Sequence, residues 1–171
     1  VNFSVGMRHR RFGNQVSSLA RLLDWWASEY GVLFVVSSGN ILEPLTISDI
    51  NSIDFDALEL DEKKALIRSA IKTNLYERTL LAPSEALNAL TVGALSEHKG
   101  FAALHPSDGI ICLEQNGEAG SSITSARGLG PGNCIKPDVV IDGGLQELRC
   151  TPSVDDTKIK VVRGRRTGLK V

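Results

Sequence analysis

Val32–Asn40 reads VLFVVSSGN. Five apolar residues run unbroken, two serines follow, and Gly39-Asn40 closes the stretch. A short apolar run bounded by a turn signal predicts a buried strand of a parallel sheet. Asn40 then places a neutral carboxamide at the carboxyl end of a central strand, where open α/β sheets gather their ligands. A donor in that position can steady a negatively charged oxygen during acyl transfer.

The residues on either side extend the pattern. Val1–Val5 predicts a short strand ending at Gly6, and the basic stretch Met7–Gly13 a loop. With Asn14 as the N-cap, Val16, Leu19, Ala20, Leu23, Trp26, Ala27 and Tyr30 recur at helical spacing. On that stripe Trp26 is expected in the core and Trp25 at its border. Gly31 stops the helix. Strand, helix and strand make a βαβ unit. Downstream, one helix is expected over about 56–78, its acids leading and its bases trailing as the helix dipole favours. A helical turn is expected from Pro83 to Ala89, then a strand at Leu90–Leu95. Residues 96–120 read as a surface excursion. Ser121–Ala126 and Val139–Ile141 are strand candidates, the latter buried, and Lys158–Arg163 alternates like an edge strand. The expected fold class is α/β, a three-layer αβα arrangement on a mainly parallel sheet.

Composition narrows the function classes. The 171 residues predict one domain, and a net charge of −1 offers no global field for nucleic acid or membrane. Seven acids between Glu43 and Glu62 and six bases between Lys158 and Val171 read as solvated surface segments. The basic segment lacks the interleaved aromatics of a nucleic-acid groove. No apolar run reaches membrane-spanning length. Cys112, Cys134 and Cys150 have neither disulfide-framework nor zinc spacing, so a cytoplasmic location fits better than a secreted one. No carboxylate cluster points to a metal, and no cofactor is expected. Nucleotide binding is disfavoured because no phosphate-loop motif follows a strand.

The order NFSVG (2–6), a helix, VLFVVSSGN (32–40), LTVGAL (90–95) and KPDVV with a Gly-bearing turn (136–144) resembles the central part of the subtilisin-like serine proteases, the subtilases. The resemblance spans Val1 to about Gly144, with expected insertions at about 41–82 and 96–120 in a single partial domain. It implies a serine endopeptidase in which Asn40 is the oxyanion-hole donor. It further implies that Ser4, Val5 and Gly6 pair with extended substrate backbone, and that Ser37, Ser38 and Gly39 line the primary specificity pocket. The partners implied are a peptide or protein substrate and the remaining segments of a parent protein. Exposed sheet edges would also permit self-association.

The family's Asp-Thr-Gly, His-Gly-Thr and Gly-Thr-Ser elements do not occur in the sequence. The chain, opening on Val1, therefore reads as a central fragment, inactive by itself. Gly120–Ala126 is rich in serine but precedes KPDVV, and reads as structural. His9, His98 and His105 read as loop histidines. The alternative is a subtilase-like fold kept as a non-catalytic peptide-binding or scaffold module.

Overall fold

The computed structural model describes residues 1–97, 109–114 and 118–162. His98, His105 and the basic residues beyond 162 lie outside the described residues. In chain order the elements are β1 (Asn2–Phe3), α1 (Ser18–Tyr30), β2 (Phe34–Ser37), β3 (Leu45–Ile47), α2 (Ser52–Ala57), α3 (Leu60–Thr73) and β4 (Ala89–Glu97). They continue with β5 (Ile110–Ile111), β6 (Ala119–Ser121), β7 (Gly128–Leu129), β8 (Ile135–Lys136), β9 (Val139–Asp142), β10 (Leu148–Thr151) and β11 (Thr157–Val161). The α/β class holds. The chain forms two compact units: Val1–Ile41, Leu75–Ala94 and Thr124–Ile141 make the first, and Leu42–Asn74, Leu95–Ile123 and Asp142–Val171 the second. Of the two stretches expected as insertions, 42–74 and 96–120 belong to the second unit, and 75–82 to the first.

In the first unit β1 runs parallel to β2, with Phe3 opposite Val36, and β2 runs parallel to β4, with Ser37 opposite Val92. β9 pairs with β4 as well. The βαβ unit is present, but the helix starts later than Asn14 predicts. Ser17 is the N-cap: its Oγ accepts from Ala20 N at 3.1 Å, which meets one of the helix's orphan donors. Gly31 ends the helix in the left-handed region at φ 64°.

Ala20 and Leu23 of α1 pack against Phe34, Val36, Ala86 and Ala89. Trp26 is 41 % exposed, contrary to its expected place in the core. Phe34 fills that space, and the Trp26 indole stacks over it at 6.3 Å. β9 also departs from expectation. Val139, Val140 and Ile141 pair along the sheet yet remain exposed among the described residues.

In the second unit β3, β11, β10 and β5 form an antiparallel sheet in that order. β11 is thus paired on both sides rather than lying at an edge. Leu45, Ile47, Ile111, Leu148 and Ile159 of this sheet pack with Phe55 of α2 and Ile67, Ala70 and Ile71 of α3. Ile111 and Leu113, expected on a surface excursion, are core residues. β6 pairs antiparallel with the end of β4.

The single helix expected over 56–78 is two. Leu58 is extended at φ −69°, ψ 155° and ends α2. Glu59 then opens α3 through a capping box with Glu62. Asn51 caps α2, its Oδ1 accepting from Ile53 N and Asp54 N at 2.9 Å each.

Candidate active site

The carboxyl end of β2 is held by bonds from several parts of the first unit. Ser38 N donates to Val92 O at 2.8 Å, which carries the parallel ladder past Ser37. Ser38 O accepts twice, from Leu81 N at 3.2 Å and from Ser84 Oγ at 3.0 Å. Ser38 Oγ shares a 3.2 Å bond with Ser125 Oγ, which also accepts from Ala94 N at 3.0 Å. Ser84 O in turn accepts from Thr91 Oγ1 at 2.8 Å. Ser38, Ser84, Thr91 and Ser125 are all buried, so each hydroxyl needs the partner it has.

Gly39 sits at φ 111°, a conformation closed to ordinary side chains. A Cβ there would lie 2.6 Å from Leu81 Cβ. A Cβ on Gly6 would lie 3.4 Å from Gly39 Cα and 3.5 Å from Leu81 Cβ, so Gly6 and Gly39 meet beside the same leucine.

Asn40 follows directly. Ala126 N donates to Gly39 O at 3.0 Å and Ile41 N donates to Thr124 O at 2.8 Å, making an antiparallel bridge between Asn40 and Ser125. The Asn40 backbone is pinned on both sides. Its side chain is exposed and makes no hydrogen bond among the described residues.

Of the residues singled out in the sequence, Gly6, Ser38 and Gly39 gather around Leu81, with Asn40 immediately beyond. Ser37 is the last residue of β2 and half-buried. Ser4 and Val5 lie past β1 on exposed backbone, and Ser4 Oγ donates to Asn2 Oδ1 at 3.0 Å. β1 pairs only with β2 among the described residues, so its other edge is open to an added strand. His9 is an exposed turn residue. Ser125, from the serine-rich run, is a buried structural hydroxyl.

Of the strip Leu80–Ser84 the sequence reading covers only Pro83 and Ser84, as the start of a helical turn. The strip forms a ladder with the basic loop, through Met7 N to Ala82 O (2.8 Å), Ala82 N to Arg10 O (3.0 Å) and Phe12 N to Leu80 O (2.8 Å). Turns close at Ser84 and Ala86 instead of a helix. The Lys-Pro-Asp motif is a clamp on β4. Lys136 Nζ donates to Ala89 O at 3.0 Å and to Asp138 Oδ2 at 2.7 Å, and Thr91 N donates to the same Asp138 oxygen at 2.6 Å. Burial raises the Asp138 carboxyl, but the bonds from Lys136 and Thr91 and the Lys136 charge outweigh it and hold the group below its ordinary value.

Beside this strip, Arg127 N donates to Arg78 O at 3.0 Å. The Arg127 side chain lies against protein with its Nε and Nη2 buried and unbonded, and Thr79 Oγ1 is likewise buried without a partner. Burial lowers the Arg127 guanidinium from its usual range.

No curated protein and no solved structure matches the chain. The Subtilase family matches residues 1–167. With nearly its whole length covered, the chain belongs to the subtilase family.

Proposed function

We propose that these residues are the central portion of a subtilisin-like serine endopeptidase, built on the family's three-layer sheet, and that Asn40 is its oxyanion donor. The observation that carries this reading is the contrast within one residue: a backbone fixed on both sides and an exposed carboxamide without a partner among the described residues. A preorganised donor of this kind needs no reorganisation when charge develops on the tetrahedral intermediate. The open edge at Ser4–Gly6 would take substrate backbone as an added strand. Ser37, Ser38 and Gly39 would line the primary pocket.

The acid, base and nucleophile motifs of the family are not found within residues 1–171, so these residues alone do not cleave peptides. That same observation favours a second reading, a non-catalytic peptide-binding module. A serine-reactive phosphonate applied to the full-length protein separates the two, because covalent labelling excludes the second. In the full-length enzyme Asn40→Ala should lower kcat about 10²–10³-fold, a magnitude measured on subtilisin itself and carried over to this relative. Unchanged turnover would refute the oxyanion role.

A further inference from the structure

Leu81 meets both glycines beside the proposed primary pocket. A Cβ built on Gly39 would stand 2.6 Å from Leu81 Cβ, 2.7 Å from its Cγ and 2.9 Å from its Cδ1. A Cβ built on Gly6 would stand 3.5 Å from Leu81 Cβ and 3.6 Å from its Cδ1. The sides of the two glycines on which side chains would grow therefore face one leucine. Glycines placed this way leave room for an incoming group to approach the backbone closely. Here the leucine side chain takes that room.

Leu81 is also held in place. Its N–H donates to Ser38 O at 3.2 Å, and Ala82 beside it is bonded twice, donating to Arg10 O at 3.0 Å and accepting from Met7 N at 2.8 Å. The side chain packs with Ile41 and Ala126 in a small core and is 2 % exposed. A packed leucine of this kind yields to added carbons only at a cost in free energy. The rim above it is open: Gly6 and Ser37 are half-buried, and Val5 and Asn40 are exposed. A ligand therefore reaches the rim and is stopped at the leucine.

We infer that Leu81 closes the floor of the primary pocket, so that the peptide residue on the acyl side of the cleaved bond is glycine or alanine. This rests on the peptidase reading, which lays substrate backbone along Ser4–Gly6 and sets its carbonyl at Asn40. A residue so placed directs its side chain between Gly6 and Gly39. A hydrogen or a methyl group stays at the rim. A leucine or phenylalanine side chain needs the volume that Leu81 already fills. Leu81 is a specificity-determining residue and takes no part in bond cleavage.

The test uses the full-length protein and a set of peptides identical except for Gly, Ala, Leu or Phe at that position. kcat/KM for the Gly and Ala peptides should exceed that for the Leu and Phe peptides by about tenfold to a hundredfold. Leu81→Ala should raise the Leu and Phe peptides relative to the Ala peptide by about tenfold or more. A merely structural role would lower all the substrates alike and leave their order unchanged. Where Leu81→Ala does not fold, the wild-type series decides alone. Leu or Phe peptides cleaved as well as the Ala peptide overturn the inference. Calorimetric titration with product-like peptides ending in Ala or Phe reads the pocket without catalysis, so the two failures are distinguishable. A protein that cleaves none of the substrates yet binds the Ala product over the Phe product refutes the peptidase reading and keeps the pocket. A protein that cleaves none and binds the two products equally, or neither, overturns both. Cleavage without preference, still disabled by Asn40→Ala, overturns the pocket alone.

Discussion

Replacing Gly39 by alanine tests the packing that sets Asn40. At φ 111° an L side chain is strained by about 1–3 kcal/mol. The new Cβ would stand 2.6, 2.7 and 2.9 Å from Leu81 Cβ, Cγ and Cδ1. Leu81 is 2 % exposed and its backbone is bonded to Ser38, so it cannot swing into solvent. Overpacking of this kind costs about 1–3 kcal/mol more. The expected loss for Gly39→Ala is therefore about 2–6 kcal/mol, a large share of a domain's stability. Gly31→Ala is the control: φ is 64°, nothing lies within 4 Å of the added Cβ, and the cost should be about 1–2 kcal/mol.

Urea unfolding followed by tryptophan fluorescence reads both variants, because Trp25 and Trp26 sit on α1 in the same unit. Leu81→Ala alone should cost about 2–5 kcal/mol. Combined with Gly39→Ala it should cost about 1–3 kcal/mol less than the two single losses together, since the small side chain makes room. If Gly39→Ala proves no worse than Gly31→Ala, or if the double variant is additive, the reasoning fails.

Two further outcomes follow from the titrating groups. The Asp138 carboxyl is held below its ordinary value, so its contribution to stability is full above the unfolded pKa, near 3.8, and fades as pH falls through the lower folded value. Asp138→Asn should cost about 1–3 kcal/mol at pH 7, the range reduced for an Asp138 side chain that is 34 % exposed, and progressively less under acid. A loss independent of pH in urea titrations would contradict the clamp. Burial pushes the Cys112 thiol above 9.0, helped by Glu147 and Glu114 against Lys64, and burial with Asp56 does the same for Cys150 against Lys63. Iodoacetamide at pH 8 should modify both more slowly than it modifies free cysteine, with rates climbing beyond pH 9, and mass spectrometry of the labelled peptides would expose any fast reaction.

Much of the first unit was readable because its signals are local. The helical spacing of Val16–Tyr30 and the apolar run from Val32 each commit a short segment by themselves, and Gly31 marks the boundary between them. The second unit was less readable for the opposite reason. No Gly or Pro stands at Leu58-Glu59, so the break there appears only in the backbone and in the capping box. β5 is two residues long and is defined by β10, nearly forty positions later. Such pairings depend on distant partners rather than on periodicity.

The site itself shows why Asn40 was legible while its supports were not. A turn built for stability alone would take Asn-Gly or Asp-Gly and leave the side chain to bond locally. Here Gly39 adopts a conformation open to glycine alone, buried hydroxyls of Ser38, Ser84 and Ser125 bond to one another and to backbone, and Leu81 closes the space beneath. None of this gives the Asn40 carboxamide a partner. Buried polarity that ends in an exposed donor unsatisfied among the described residues does not raise the stability of the strand end, and positions where local rules are broken without local gain are those expected at functional sites. The hydroxyls of Ser84 and Ser125 and the side chain of Leu81 hold the strand end that carries the amide, and they come from segments 81–84 and 124–126, far along the chain from Asn40. A reading confined to VLFVVSSGN finds the proposed donor. The precision of its placement belongs to residues that carry no motif of their own.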